Sequence, residues 1–161
     1  MSFKEVTALR KSFKLKEAYE MATEDLNSDP SNVWSKRSMA WVLYAFMKVN
    51  SNVGNYDSFI LYFKELVALE LPSDEELVFS SVGFQVGSIV FALAKQQESH
   101  ESKILSLYEL VKLLAIPVKT DSYSFVFKSF HKGFKDTVHY LDFVDWWGLD
   151  NFRDEFKNIS S

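Results

Sequence analysis

The sequence predicts an all-α fold of about eight helices, and three observations support this prediction. Apolar residues recur at three- and four-residue spacing along most of the chain, which is the period of an amphipathic helix. The 161 residues include only five glycines and three prolines, whereas an all-β chain of this length needs turn residues at short intervals. The length fits one domain. We therefore predict a single helical, repeat-like domain over residues 1–161.

Local signals set the limits of the first four helices. We expect these helices at about residues 3–12, 14–26, 33–50 and 56–71. Pro30 ends the second helix, because proline lacks an amide hydrogen and disfavours helical geometry at Asp29. The break before the fourth helix lies around Gly54, and Pro72 ends that helix.

The second half of the chain predicts four further helices. We expect them at about residues 74–97, 103–115, 121–135 and 137–147. Ser73 and Glu76 have the spacing of a capping box at the start of the fifth helix. The acidic residues 74–76 are typical of helix-start charge, which the helix dipole favours. Pro117 closes the sixth helix.

Residues 78–94 contain no charged side chain. A membrane span needs roughly 17 to 25 predominantly apolar residues, so this stretch is at the lower limit. It includes three serines and Gln85, and charged residues flank it on both sides within the same helix. We therefore predict a buried central helix rather than a membrane span.

Small residues line one face of this helix, since Ser80, Gly83 and Gly87 are three and four residues apart. Glycine within a helix is about 1 kcal/mol less favourable than alanine, so two glycines favour close packing by a neighbouring helix. The alternative is that these positions only tolerate small residues.

Composition restricts the function classes. The net charge of −4 argues against a dedicated nucleic-acid binder, which is usually basic. The chain has no cysteine, so it has no disulfide, thiolate metal site or cysteine nucleophile, and this suits the cytoplasm. The N-terminus lacks the apolar region of a signal peptide. We expect a cytoplasmic protein.

No residue pattern indicates catalysis. The three histidines, His100, His131 and His139, lack metal-ligand spacing, and no phosphate-binding loop or nucleophile motif is present. We therefore predict no enzyme activity, no metal and no cofactor. An enzyme with an unrecognised pocket stays open as an alternative.

Aromatic and basic residues alternate near the C-terminus, a composition that can bind single-stranded nucleic acid by stacking. Phe127, Phe130 and Phe134, however, have helical spacing, and acidic residues surround them. We predict that these three rings form a buried stripe. A nucleic-acid-associated accessory domain is the alternative function.

Residues 14–47 have the spacing of a helical hairpin repeat. Ala18 is followed by the small residue Ala22 four positions later and by Pro30 twelve positions after Ala18. This pattern resembles the second helix of a tetratricopeptide repeat. The resemblance implies a right-handed stack of helical hairpins, an α-α superhelix, that binds proteins.

The next hairpin continues the resemblance. Met39 and Ala40 form the large-plus-small pair, and Leu43 is the large apolar residue four positions after Met39. Lys36 departs from the pattern, which usually has tryptophan or leucine there. The chain contains no second clean 34-residue copy.

The resemblance also implies a binding face. In tetratricopeptide arrays the first helix of each hairpin lines a groove, which here corresponds to Trp34, Arg37, Trp41 and Tyr44. These four residues share one helical face and are of the types enriched in binding hot spots. Lys36 lies beside them and adds charge for an acidic peptide or a C-terminal carboxylate. The alternative is that the aromatic residues belong to the core.

A second resemblance concerns the two ends of the chain. Residues 10–22 and 29–48 and the closing residues 142–157 look like the N-terminal helical region of uncharacterised bacterial proteins, some of which are larger and associated with genome-conflict (defence) loci. We therefore expect a bacterial protein that binds a protein or peptide partner, with no membrane and no nucleic acid. The sequence leaves the oligomeric state open.

Overall fold

The structure is a computed structural model, and it describes residues 3–72, 75–96, 100–113 and 124–147. Within these ranges it contains eight α-helices and no strand, which confirms the predicted all-α class. The helices are α1 Phe3–Lys11, α2 Leu15–Ser28, α3 Val33–Asn52, α4 Tyr56–Ala68, α5 Glu76–Ala94, α6 Glu101–Leu113, α7 Ser124–Phe134 and α8 Tyr140–Trp147. Their packing is compatible with helical hairpins.

The chain divides into two compact units, Met1–Val78 and Phe79–Ser161, so each is described by itself. In the first unit α3 packs against α1, α2 and α4. Ala18 and Ala22 of α2 are buried, and their small side chains suit close helix packing. The prediction of one domain over the whole chain stays a prediction.

Side-chain capping defines where α3 begins. The Asn32 side chain accepts hydrogen bonds from the amides of Trp34 at 2.9 Å and Ser35 at 3.3 Å. These bonds satisfy two of the amides that have no partner within the helix. The cap fixes the first turn of α3, and with it the position of Trp34.

The predicted end of α4 is wrong by three residues. The helix ends at Ala68, not at the residue before Pro72, because the chain turns earlier. The amides of Leu69 and Glu70 bond to the carbonyls of Leu66 and Val67, and Glu70 has a left-handed φ of 52°. Glycine or asparagine usually marks such a turn, and neither is present here. The predicted cap residue Ser73 lies outside the described residues.

The core of the second unit is aromatic. Helix α7 packs against α6 and α8, and the buried stripe predicted for α7 is confirmed, since Phe127, Phe130 and Phe134 are all buried. Tyr108 of α6 lies among these rings, with its centroid 5.1 Å from that of Phe134. Its hydroxyl donates a hydrogen bond of 2.8 Å to Asp142.

Helix α5 contains the uncharged stretch. The segment Leu77–Ala94 has a mean hydropathy of 1.9, and half of its residues are buried. Length and composition alone would let this helix cross a membrane, but the core helix of a soluble protein has the same properties. A Cβ atom on Gly87 would lie 2.8 Å from the Phe125 ring of α7. The predicted close packing of a neighbouring helix is thus confirmed at Gly87.

Candidate protein-binding surface

The predicted binding residues Trp34, Arg37, Trp41 and Tyr44 all lie on α3. The structure leaves Trp34 59% exposed, whereas the other three are half-buried. We call these four residues the α3 face. Their role in binding stays a prediction.

Arg37 is held between a ring and a carboxylate. Its Cζ atom lies 4.5 Å from the centroid of the Trp34 ring. Its Nε also donates to both carboxylate oxygens of Glu75, at 2.8 and 2.9 Å, and a second nitrogen lies 2.6 Å from Oε1. A bidentate pair of this kind fixes the guanidinium geometry, so Trp34 and Arg37 form a preorganised platform.

Glu75 is the residue of this arrangement that sequence reasoning missed. Its position predicted only a helix-start charge favoured by the helix dipole, but it is 7% exposed and has a specific partner. It lies 38 residues from Arg37 in the chain, so no local spacing relates the two. A buried carboxylate requires such a partner, because an unpaired charge is strongly disfavoured away from water.

Trp41 and Tyr44 extend the face. Their ring centroids are 5.7 Å apart and the rings are nearly perpendicular, at 85°, a favourable edge-to-face geometry. Arg10 of α1 places its Cζ atom 5.8 Å from the Trp41 centroid. The first helix therefore contacts this face through a cation and does not bury it completely.

Lys36 borders the α3 face. It is one residue from Arg37, which corresponds to a rotation of about 100° around the helix, and it is half-buried. Two residues, or about 200° around α3, separate Lys36 from Trp34, so Lys36 lies away from the exposed ring, whereas Arg10 contacts Trp41.

A second feature of the same unit was not predicted as a site. Tyr19, Phe46 and Tyr62 come from three different helices and surround an open cleft that also contains Glu65 and Lys16. The hydroxyl of Tyr19 donates to Glu65 at 2.8 Å. This hydrogen bond, followed by burial, raises the pKa of Tyr19. Helical spacing alone gives no sign of the cleft, because only tertiary packing brings these helices together.

The second unit contains a polar cluster on the edge of its aromatic core. The Lys112 ammonium lies 3.2 Å from Glu109 and 3.7 Å from Asp142. Burial and the hydrogen bond to Asp142 raise the pKa of Tyr108, so its hydroxyl stays protonated as a donor. No group of three or more potential metal ligands occurs among the described residues.

The nucleic-acid alternative needs rings that can stack on bases. Phe127, Phe130 and Phe134 are at most 2% exposed, so their faces contact other side chains. Phe152 and Phe156, nearer the C-terminus, lie outside the described residues. The described aromatic residues of α7 therefore do not favour this alternative.

Comparisons with protein-family models, with curated proteins and with solved structures give no match for this chain. The functional inference therefore rests on the surface geometry itself.

Proposed function

We propose that this chain is a protein-interaction module that binds an acidic segment of a partner protein through the α3 face. The observation that carries the proposal is Trp34, a tryptophan that is 59% exposed and lies against an immobilised guanidinium. In this proposal α1 and α3 are the groove-lining helices of a tetratricopeptide-like, right-handed stack in a cytoplasmic bacterial protein.

The residue types support a binding role. Tryptophan, tyrosine and arginine dominate the small set of residues that carry most of the energy of protein interfaces. Rigid anchors lose little conformational entropy when a partner binds. Arg37 is rigid before binding, because Glu75 holds its guanidinium by bidentate hydrogen bonds, from Nε to Oε2 and from Nη2 to Oε1.

Charge indicates the kind of partner. Arg10 lies over Trp41, so a positive side chain borders the aromatic residues of the face. Opposite charge across an interface accelerates association and favours the correct partner. An acidic segment with one large apolar side chain therefore fits best.

The test is a selection of random displayed peptides on the immobilised protein, followed by affinity measurements with synthetic copies. We expect acidic peptides with an aromatic or large aliphatic residue to be enriched. The variant Trp34→Ala should weaken their binding by at least about tenfold, which is the range of a hot-spot residue.

Leu61→Ala is the matched control, because Leu61 belongs to the same unit and is 61% exposed. It should leave the affinity unchanged. Selected peptides that bind Trp34→Ala as tightly as the unaltered chain would show that the α3 face is not the binding surface.

A further inference from the structure

A cleft with an aromatic and an apolar half lies between α2 and α4, with α3 as its floor. The aromatic half encloses about 430 Å³, and the adjoining apolar half encloses about 250 Å³. Tyr19 and Glu65 line both halves, so the two halves adjoin at this hydrogen-bonded pair. We call the whole feature the α2–α4 cleft.

The aromatic half presents three half-buried rings. Phe46 and Tyr62 are stacked, with centroids 4.7 Å apart and planes only 10° from parallel. Tyr19 stands edge-on to Phe46, at 6.1 Å and 84°. Aromatic faces attract cations through the ring quadrupole, and arginine is the protein cation that uses this most often.

A carboxylate completes this half. Glu65 is exposed and accepts the Tyr19 hydroxyl on Oε1 at 2.8 Å. An ionised carboxylate has about four acceptor sites, so Glu65 can accept a guanidinium at the same time. The hydrogen bond from Tyr19 on α2 also fixes the position of the Glu65 carboxylate on α4, across the cleft.

The apolar half fits a neighbouring side chain of the same ligand. It is lined by Leu26 of α2, Met39 and Leu43 of α3, and Leu69 after α4. Apart from Glu65, which it shares with the aromatic half, this lining contains no charged residue, so it favours an aliphatic side chain. A peptide that places a basic and an aliphatic side chain close together matches both halves.

The lining of the cleft contains one lysine and one carboxylate, whereas helix α2 as a whole is acidic. Helix α2, the wall that carries Tyr19, has a single lysine and four acidic residues. The lysine, Lys16, lines the aromatic half together with Glu65. Arginine fits better than lysine, because its planar guanidinium both stacks on rings and pairs with a carboxylate in bidentate fashion.

We propose that the α2–α4 cleft binds a basic segment of a partner protein, with an arginine against the aromatic rings and its guanidinium on Glu65. This site is separate from the α3 face. Leu43 on the floor of the cleft is two residues from Trp41, which is about 200° around α3. The two surfaces thus lie on opposite sides of one helix and prefer opposite charges.

The test uses three blocked peptides that have leucine two, three or four residues after arginine, titrated into the full chain and followed by nuclear magnetic resonance. We expect at least one to bind and to shift the amide signals of Tyr19, Phe46, Tyr62 and Glu65. Replacing its arginine by neutral citrulline should weaken binding by at least about tenfold, because hydrogen bonds between charged groups are the stronger ones.

Two charge variants test the contact itself. Glu65→Gln should weaken binding by at least about tenfold, whereas Glu17→Gln, which makes the same change in net charge at an exposed residue of α2, should alter it by less than about threefold. Lys16→Gln should leave binding equal or tighter, because Lys16 repels a cationic ligand.

Several outcomes would overturn this proposal. They are the failure of all three peptides to bind, equal affinity for the citrulline peptide, or weaker binding to Lys16→Gln, which would mean that Lys16 contributes to the contact instead of repelling the arginine. Trp34→Ala should leave the arginine peptide unaffected, so a failure here is distinguishable from a failure of the acidic-partner proposal.

Discussion

Aromatic side chains serve different purposes in the two units. In the unit Phe79–Ser161, Phe130, Phe134 and Phe143 surround Tyr108, and all four are fully buried. In the unit Met1–Val78, Phe59 and Phe63 are buried, but the rings on its two candidate surfaces are tryptophan, tyrosine and Phe46, and they stay partly exposed. Tyrosine and tryptophan suit a partly exposed position because they carry a polar group that phenylalanine lacks, whereas Phe46 stacks on Tyr62.

A buried tyrosine needs a hydrogen-bond partner for its hydroxyl. Tyr108 is fully buried, yet its hydroxyl has a partner, since Asp142 accepts it at 2.8 Å. A buried hydroxyl without such a bond would be destabilising by about 1–3 kcal/mol. The second unit can therefore include a tyrosine in its core, at the expense of fixing Asp142 beside it.

The largest expected effect comes from removing a core ring. Phe134→Ala should lower the free energy of unfolding by about 3–5 kcal/mol, because it leaves a cavity among close-packed rings. Chemical denaturation followed by circular dichroism measures this change. The matched comparison is Trp34→Ala, which should change stability by less than about 1 kcal/mol because its ring is exposed. Equal losses in the two variants would contradict the division between core and surface rings.

Close packing at Gly87 should give the next largest effect. Gly87→Leu should destabilise the protein by about 1–3 kcal/mol or more, because its Cβ alone would lie 2.8 Å from the Phe125 ring and the core must shift. The control is Gly87→Leu combined with Phe125→Ala, which removes the obstructing ring and should recover part of the loss. A single-variant change of less than about 1 kcal/mol would contradict tight packing of α7 on α5.

Helix positions were predictable because they depend on local signals. The 3.6-residue period and the prolines place all eight helices of the described residues within a few residues of where they lie. The shared face of Trp34, Arg37 and Trp41 follows from the same period. These features need no knowledge of which helices are neighbours.

Pairings between distant residues were not predictable in this way. Glu75 reaches Arg37 across 38 residues, and Tyr19 reaches Glu65 across 46. Each pair depends on how helices pack, which hydrophobic periodicity leaves undetermined. The α2–α4 cleft was missed for this reason, although each of its rings is visible in the sequence.

A smaller effect is expected at Phe13, an exposed residue of the first unit whose backbone conformation is unfavourable for a bulky side chain. Phe13, between α1 and α2, is 81% exposed and has a left-handed φ of 61°, a conformation that disfavours bulky side chains. Phe13→Asn should stabilise the protein by about 0.5–1 kcal/mol, because asparagine tolerates this geometry. Phe13→Ala is the control and should give a smaller gain in stability, since alanine keeps the steric conflict of its Cβ atom. Loss of stability in the asparagine variant would show that the exposed ring contributes to packing.

The smallest expected effect concerns a histidine within the aromatic core of the second unit. His131 is buried, its Nδ1 lies 3.1 Å from the Tyr140 hydroxyl, and burial together with the charge of Lys135 lowers its pKa below 6.5. Above about pH 6.5 the imidazole is neutral in both the folded and the unfolded chain, so it contributes no pH dependence. Below that value His131 is protonated in the unfolded chain but stays neutral in the folded chain. The free energy of unfolding therefore falls until the pH reaches the lowered pKa.

Thermal unfolding between about pH 7.5 and 5.5 should therefore show a steeper loss of stability for the unaltered chain than for His131→Gln. Lys135→Gln should lie between them, because it removes only the repulsion, and identical slopes in all three would mean that the surroundings of His131 do not oppose its charge.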